Sequence, residues 1–206
     1  MTPHSILRGV PGPSAPHAAG LERLWRLCAL LALLIAPLVS AQNAAKPPSA
    51  SEPALKAALL MKILPFVQWP TNTFANTNDP VVILVVDAPD IHDQLRKYAA
   101  GQTVGSHPVV VHPTLGETER IHVLFVGREH RRGLGDLQAR IRGRPVLTVG
   151  EQTGFAETGG IVNILVKEQR PSLEISREAA SRVGIRFNSN LALLKSIHWI
   201  HGSDPR

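Results

Sequence analysis

Cysteine is almost absent from this chain: there is one in 206 residues, Cys28, and it lies inside an apolar run near the start. Beyond that run the chain has no disulfide, no thiol chemistry and no redox switch. Aromatic residues make up only 4%. No apolar run reaches the roughly 20 residues a membrane span needs, since even Leu27 to Val39 is only 13. Acidic charge is short as well: 16 Asp and Glu stand against 22 Lys and Arg, for a net charge of +6 and a pI near 10.1. That balance permits nucleic acid, an anionic membrane surface or acidic ligands, and charge alone does not choose among them. No Gly-x-Ser-x-Gly elbow, zinc-protease helix, carboxylate dyad or Cys–His pairing is legible, so the expectation is a binding domain and not an enzyme. With 44% hydrophobic and 18% charged residues the chain is not disordered. One self-sufficient domain with a surplus at the front fits, because about 150 residues bury roughly 70% of their unfolded surface.

The surplus reads as a leader. Arg23 and Arg26 precede Leu27 to Ile35, and Ala36-Pro37-Leu38-Val39-Ser40-Ala41 follows with small or apolar residues at the third-last and last places. This is the pattern of a secretory signal, residues 1–41, cleaved after Ala41. Arg26 and Leu27 stand where a lipoprotein site would need small residues before Cys28. Three arginines and one glutamate leave with the signal, so the remainder carries about +4. The expected location is the periplasm, which also argues against nucleic acid as a partner. The arginines from Arg128 to Arg144 are interleaved with Glu129 and Asp136, as on a solvated helix face.

Residues 42–51 form a polar linker, and residues 52–206 the domain. Ser51, Glu52 and Pro53 mark a helix start. Leu55, Leu59, Ile63 and Phe66 or Val67 then fall on one stripe, until Pro65 and Trp69-Pro70 end it. From Pro80 onward short apolar runs alternate with amphipathic stretches. Strands are expected at 81–86, 103–111, 121–126, 145–149, 161–166, 173–176 and 185–187, the fifth and sixth as an antiparallel pair across Lys167 to Pro171. Helices are expected at 91–99, 131–141, 178–183 with Gly184 as a left-handed cap, and 191–200. The fold class is α/β: a single three-layer domain whose central mixed sheet of about five to six strands is flanked by helices.

The glycine-rich stretch from Gly150 to Gly160 lacks the lysine and the following helix of a phosphate cradle, and carries Glu151 and Glu157 instead. A shaped loop packed by Phe155 is the expectation. His198 and His201 would share the end of the last helix, but two imidazoles with five scattered histidines make no metal site. Neither metal nor cofactor is expected. His122, inside an apolar strand, reads as a satisfied core or edge residue. Glu174, Arg186 and Asn188 are polar groups on short strands that either line a pocket or point to solvent. Arg186 could fix a carboxylate or phosphate, or pair with Glu174.

Leu55-Lys56-Ala57-Ala58-Leu59 leading to Phe66-Val67-Gln68-Trp69-Pro70, then Ile121 to Phe125, Pro145 to Val149, Gly154-Phe155-Ala156 and Gly159-Gly160-Ile161-Val162-Asn163, resemble the YfiR family in order and spacing. Leu173-Glu174-Ile175-Ser176, Ala179-Ala180, Val183-Gly184-Ile185 and Asn188-Ser189-Asn190-Leu191 resemble its closing elements, so the likeness runs from about 52 to 197. The resemblance implies a small exported α/β protein without enzymatic activity. Such a protein binds the periplasmic sensor region of an inner-membrane diguanylate cyclase, holds the enzyme inactive, lowers cyclic di-GMP and dimerises. The expected partner surface comprises Phe66, Gln68 and Trp69 with Phe155, Glu157, Gly159 and Gly160 of the loop, because aromatic anchors carry binding energy. The alternative is a small-molecule binding module of another envelope signalling system, with Glu174, Arg186 and Asn188 as its pocket. Two departures limit the likeness. No cysteine stands near the strands where family members can carry disulfides, so redox control does not transfer, and Pro65 interrupts the first helix.

Overall fold

Ser51 accepts a hydrogen bond from the Ala54 N–H on its Oγ at 3.4 Å, and helix α1 (Glu52–Ile63) begins there with Pro53 in its first turn. In the computed structural model the described residues are 50–113, 120–129, 134–193 and 196–200, so the leader and nearly all of the linker lie outside them. Pro65 ends α1 by tightening the chain into a 3₁₀ turn, Leu64–Phe66, that delivers strand β1 (Val67–Gln68). There follow β2 (Val81–Val86), α2 (Pro89–Ala99), β3 (Thr103–Val104), β4 (His107–His112), β5 (Val123–Val126), α3 (Leu134–Ile141) and β6 (Leu147–Gly150). The chain closes with β7 (Val162–Lys167), β8 (Arg170–Ser176), α4 (Arg177–Arg182), β9 (Arg186–Phe187), a 3₁₀ turn at Ser189–Leu193 and β10 (Ile197–Ile200).

Eight strands make one mixed sheet in the order β10-β8-β7-β6-β5-β2-β4-β3, and β1 and β9 pair as a separate antiparallel ribbon. The sheet is therefore wider than the five or six strands expected. One extra strand arises because Gly105, at φ +61°, turns the stretch 103–111 back on itself and splits it into the antiparallel pair β3 and β4. The β7–β8 hairpin stands as expected, with Glu168 and Gln169 at positive φ in its turn.

The second extra strand is a correction. Residues 191–200 are not a helix: Ser189–Leu193 is a 3₁₀ turn, and β10 lies parallel to β8, with Ile197 opposite Leu173 and Trp199 opposite Ile175. The physical reason is the two-residue alternation of Ile197, His198, Trp199 and Ile200. Ile197 and Trp199 pack on the core while His198 stays exposed. Helical spacing of the leucines before it masked that alternation.

Side chains of the central strands alternate between two cores. Ile83, Val85, Val123 and Phe125 face the cluster that takes Leu59, Leu60 and Ile63 of α1 and Ile91 and Leu95 of α2. Leu84, Leu124 and Val126 face a second cluster with Leu137 and Ile141 of α3. Helices thus cover both faces of the sheet, which makes the expected three layers. Each fully buried Leu, Ile or Phe contributes about 1.5–3 kcal/mol to holding them together.

Candidate functional site

Strands β2, β5 and β6 run parallel and adjacent, so their C-terminal ends share one rim. The chain leaves β2 toward β4 on one side and returns to β5 and β6 on the other. A crevice opens at such a divergence in open α/β sheets and is their usual ligand site. Here it measures about 380 Å³ and is lined by Glu52, Lys56, Asp87, Asp90, Arg128 and Glu151 among others. Lys56 is only 2% exposed; its Nζ donates to Glu151 Oε2 at 2.6 Å and to Glu52 Oε1 at 2.5 Å. The other Glu151 oxygen accepts the Arg128 backbone N–H at 2.8 Å, and the Arg128 guanidinium reaches Glu52 at 3.1 Å. The Lys56 hydrogen bond holds the Glu52 carboxyl below the usual carboxylate range, against the opposing effect of burial. The charges answer one another, so the network clamps α1 to the loops after β5 and β6. Sequence reading missed it, although Glu52 and Lys56 stand at helical i,i+4 spacing.

The glycine-rich loop leads into β7 and not into a helix, as a shaped loop should. Phe155 is its packing centre. A Cβ on Gly150 would lie 2.4 Å from the Phe155 ring and one on Gly160 would lie 2.2 Å from it, so the ring sits between two backbones that only glycine lets approach. The Gly160 N–H donates to the Phe155 carbonyl at 2.9 Å, and the Phe155 N–H to the Gln152 carbonyl at 3.1 Å. Phe155, Gly159 and Gly160 line a cavity of about 410 Å³ together with Leu124, Val126 and Ile161. Glu157 is exposed and does not line it.

Phe66, Gln68 and Trp69 belong to a different place, the β1–β9 ribbon. Gln68 is exposed and pairs in register with Arg186, and the Phe66 carbonyl accepts the Asn188 N–H at 2.8 Å. Trp69 packs edge-on against Phe74, with ring centroids 6.0 Å apart. Its buried indole N–H finds no acceptor among the described residues. The ribbon therefore gathers Arg186 and Asn188 beside Phe66 and Gln68, which the sequence kept in separate groups. Glu174 stands apart from them: its carboxylate accepts from Asn163 Nδ2 at 2.7 Å across the β7–β8 pair. Asn188 Oδ1 accepts the Asn190 N–H at 2.9 Å and so shapes the closing 3₁₀ turn. The sequence-expected pocket of these three residues is thus divided between a sheet pair and a ribbon.

The histidine pair is corrected too. His198 is an exposed strand residue, not part of a helix end, and His201 lies outside the described residues. His122 is a satisfied core residue: it is 4% exposed, and its Nδ1 accepts the Val82 N–H at 3.1 Å. Phe74, unremarked in the sequence, is stacked between His122 at 4.6 Å and His107 at 3.9 Å. Among the described residues no group of three or more His, Cys, Asp or Glu is arranged to hold a metal ion.

Comparison with protein-family models finds a match over residues 53–194, to the family described as YfiR/HmsC-like. That range takes in the ribbon, the glycine loop and the buried lysine. No curated protein matches the chain.

Proposed function

Since the chain belongs to the YfiR/HmsC-like family, whose members are regulators of diguanylate-cyclase signalling and not catalysts, we propose that it is an exported repressor. It binds the periplasmic sensor region of an inner-membrane diguanylate cyclase, holds the enzyme's inactive form and lowers cyclic di-GMP. The family match across nearly the whole domain carries this reading, and the leader pattern supports export. A regulator of this kind acts through its differential affinity for the two states of the cyclase. To move an equilibrium from 1:99 to 99:1 it must bind the silent form about 10⁴-fold more tightly.

Two surfaces support partner contact. The ribbon presents half-buried Phe66 and Trp69 beside exposed Gln68. The loop around Gly159 presents backbone close to the surface. In this reading the functional unit is a homodimer.

The test is cyclic di-GMP in a strain lacking the gene. Deletion should raise it. The full chain should restore the low level, and a chain lacking residues 1–41 should not. An unchanged level on deletion, or rescue by the leaderless chain, overturns the proposal.

A further inference from the structure

We propose that the cavity beside the glycine loop binds a small amphipathic carboxylate, with an apolar tail and one anionic head. This goes beyond the cyclase reading and does not depend on it.

The cavity has a built floor. Leu124 and Val126 project from β5, Ile141 from α3 and Ile161 from the start of β7, and the Phe155 ring is fixed between Gly150 and Gly160. At about 410 Å³ it falls within the roughly 300–1,000 Å³ of small-molecule sites. Its two threonines are already engaged. Thr148 Oγ1 accepts the Ile161 N–H at 3.0 Å, and Thr158 Oγ1 donates to the Gly154 carbonyl at 3.0 Å. A tail inside therefore meets mostly apolar surface, and a polar group on it would recover little of its lost hydration from the remaining capacity of these two hydroxyls.

The mouth has the opposite character. Arg142, Arg144 and Arg182 line it, and among the described residues no Asp or Glu lines the cavity. Guanidinium groups grip a carboxylate with two parallel hydrogen bonds. Arg182 is paired with Glu178 at 3.4 Å, but both side chains are about half exposed. An exposed pair of that kind contributes little, so it yields readily to a ligand's head group. The charge arrangement selects an anion over a neutral or cationic amphiphile, and the limited volume of about 410 Å³ suits a small molecule.

Titration calorimetry of the purified chain with octanoate tests this, alongside 1-octanol and octylamine, with amide NMR to locate the site. Octanoate should bind and shift the amides of Gly159, Gly160 and Ala179. Octanol should bind at least tenfold more weakly and octylamine not measurably. Arg142→Gln with Arg182→Gln, both on the exposed rim, should weaken octanoate about tenfold. Val183→Phe, which fills the cavity from its half-buried wall, should abolish binding, and Glu178→Gln should tighten it severalfold by releasing Arg182. Absence of octanoate binding, equal binding of octanol, amide shifts confined to another region or indifference to the arginine pair would each overturn the proposal. A second copy of the chain as the true occupant would show as octanoate-insensitive dimerisation that Val183→Phe abolishes.

Discussion

Lys56 shows how far a single residue can depart from its usual behaviour. Lysine is rarely buried unless paired, and here it is among the most deeply buried large side chains, with its ammonium held by Glu151 and Glu52. Taking away the ammonium strands the nearly buried Glu151 carboxylate, and breaking such a pair costs about 3–5 kcal/mol. Lys56→Met should lower stability by that amount in urea unfolding, and Lys56→Met with Glu151→Gln should recover more than half of it. If the double variant is as unstable as the single one, the clamp matters for a reason other than the stranded charge. The sequence pointed elsewhere. Of the apolar stripe, Leu59, Ile63 and Val67 are buried in the core, but Leu55 is only half-buried, and Lys56, Leu60 and Leu64 share the core with them. A lysine between leucine and alanine looks like the solvated edge of a helix until the distant Glu151 is known, and a partner 95 residues away leaves no local trace. Phe155 was read as the packing centre of its loop, but its place between Gly150 and Gly160 emerges only from the fold.

At the scale of elements, helix starts and stops were the most legible features. Ser51 caps α1, Pro65 ends it, and Gly184 at φ +76° closes α4, with the Ile185 N–H donating to Ala180 and the Gly184 N–H to Ser181. These are local devices, and each depends on the conformational range of one residue. The last strand was not legible because its fate is decided across the sheet. Trp199 packs edge-on to Phe187 at 6.3 Å and lies 3.8 Å beneath the Arg177 guanidinium, contacts that exist only once β8 and β9 are in place. Trp199→Ala should therefore cost about 2–3 kcal/mol, at or below the lower end for large aromatic truncations because the ring is only half-buried. His198→Ala, on the exposed side, should stay within about 0.5 kcal/mol. Equal effects at the two positions would argue against a strand. The ribbon's candidate residues were named in separate groups in the sequence, since β1 meets β9 through pairing that sequence spacing cannot show.

For the molecule as a whole, acid is the informative variable. Burial, reinforced by His107 and Arg120 nearby, pushes the His122 pKa down to about 4. Its ring must be unprotonated at Nδ1 to accept the Val82 N–H. The unfolded chain takes up that proton near the ordinary value of about 6.5, whereas the folded chain resists it until about 4. The stabilisation is thus complete above about pH 6.5 and is lost progressively as pH falls toward 4. His122→Asn, which keeps an acceptor for Val82, should flatten that slope in urea midpoints measured from pH 7 to 4. An unaltered slope would assign the acid sensitivity to other groups. The β1–β9 ribbon adds a requirement of timing. It joins Val67 to Phe187, about 120 residues later, and loop-closure entropy makes such distant pairings late to form. The aromatic edge is consequently assembled from both ends of the domain, and it is expected among the last parts to form. If the chain acts as the exported repressor proposed above, it has no such edge to offer while it is still folding after translocation, and silencing through the edge would begin only when folding is finished.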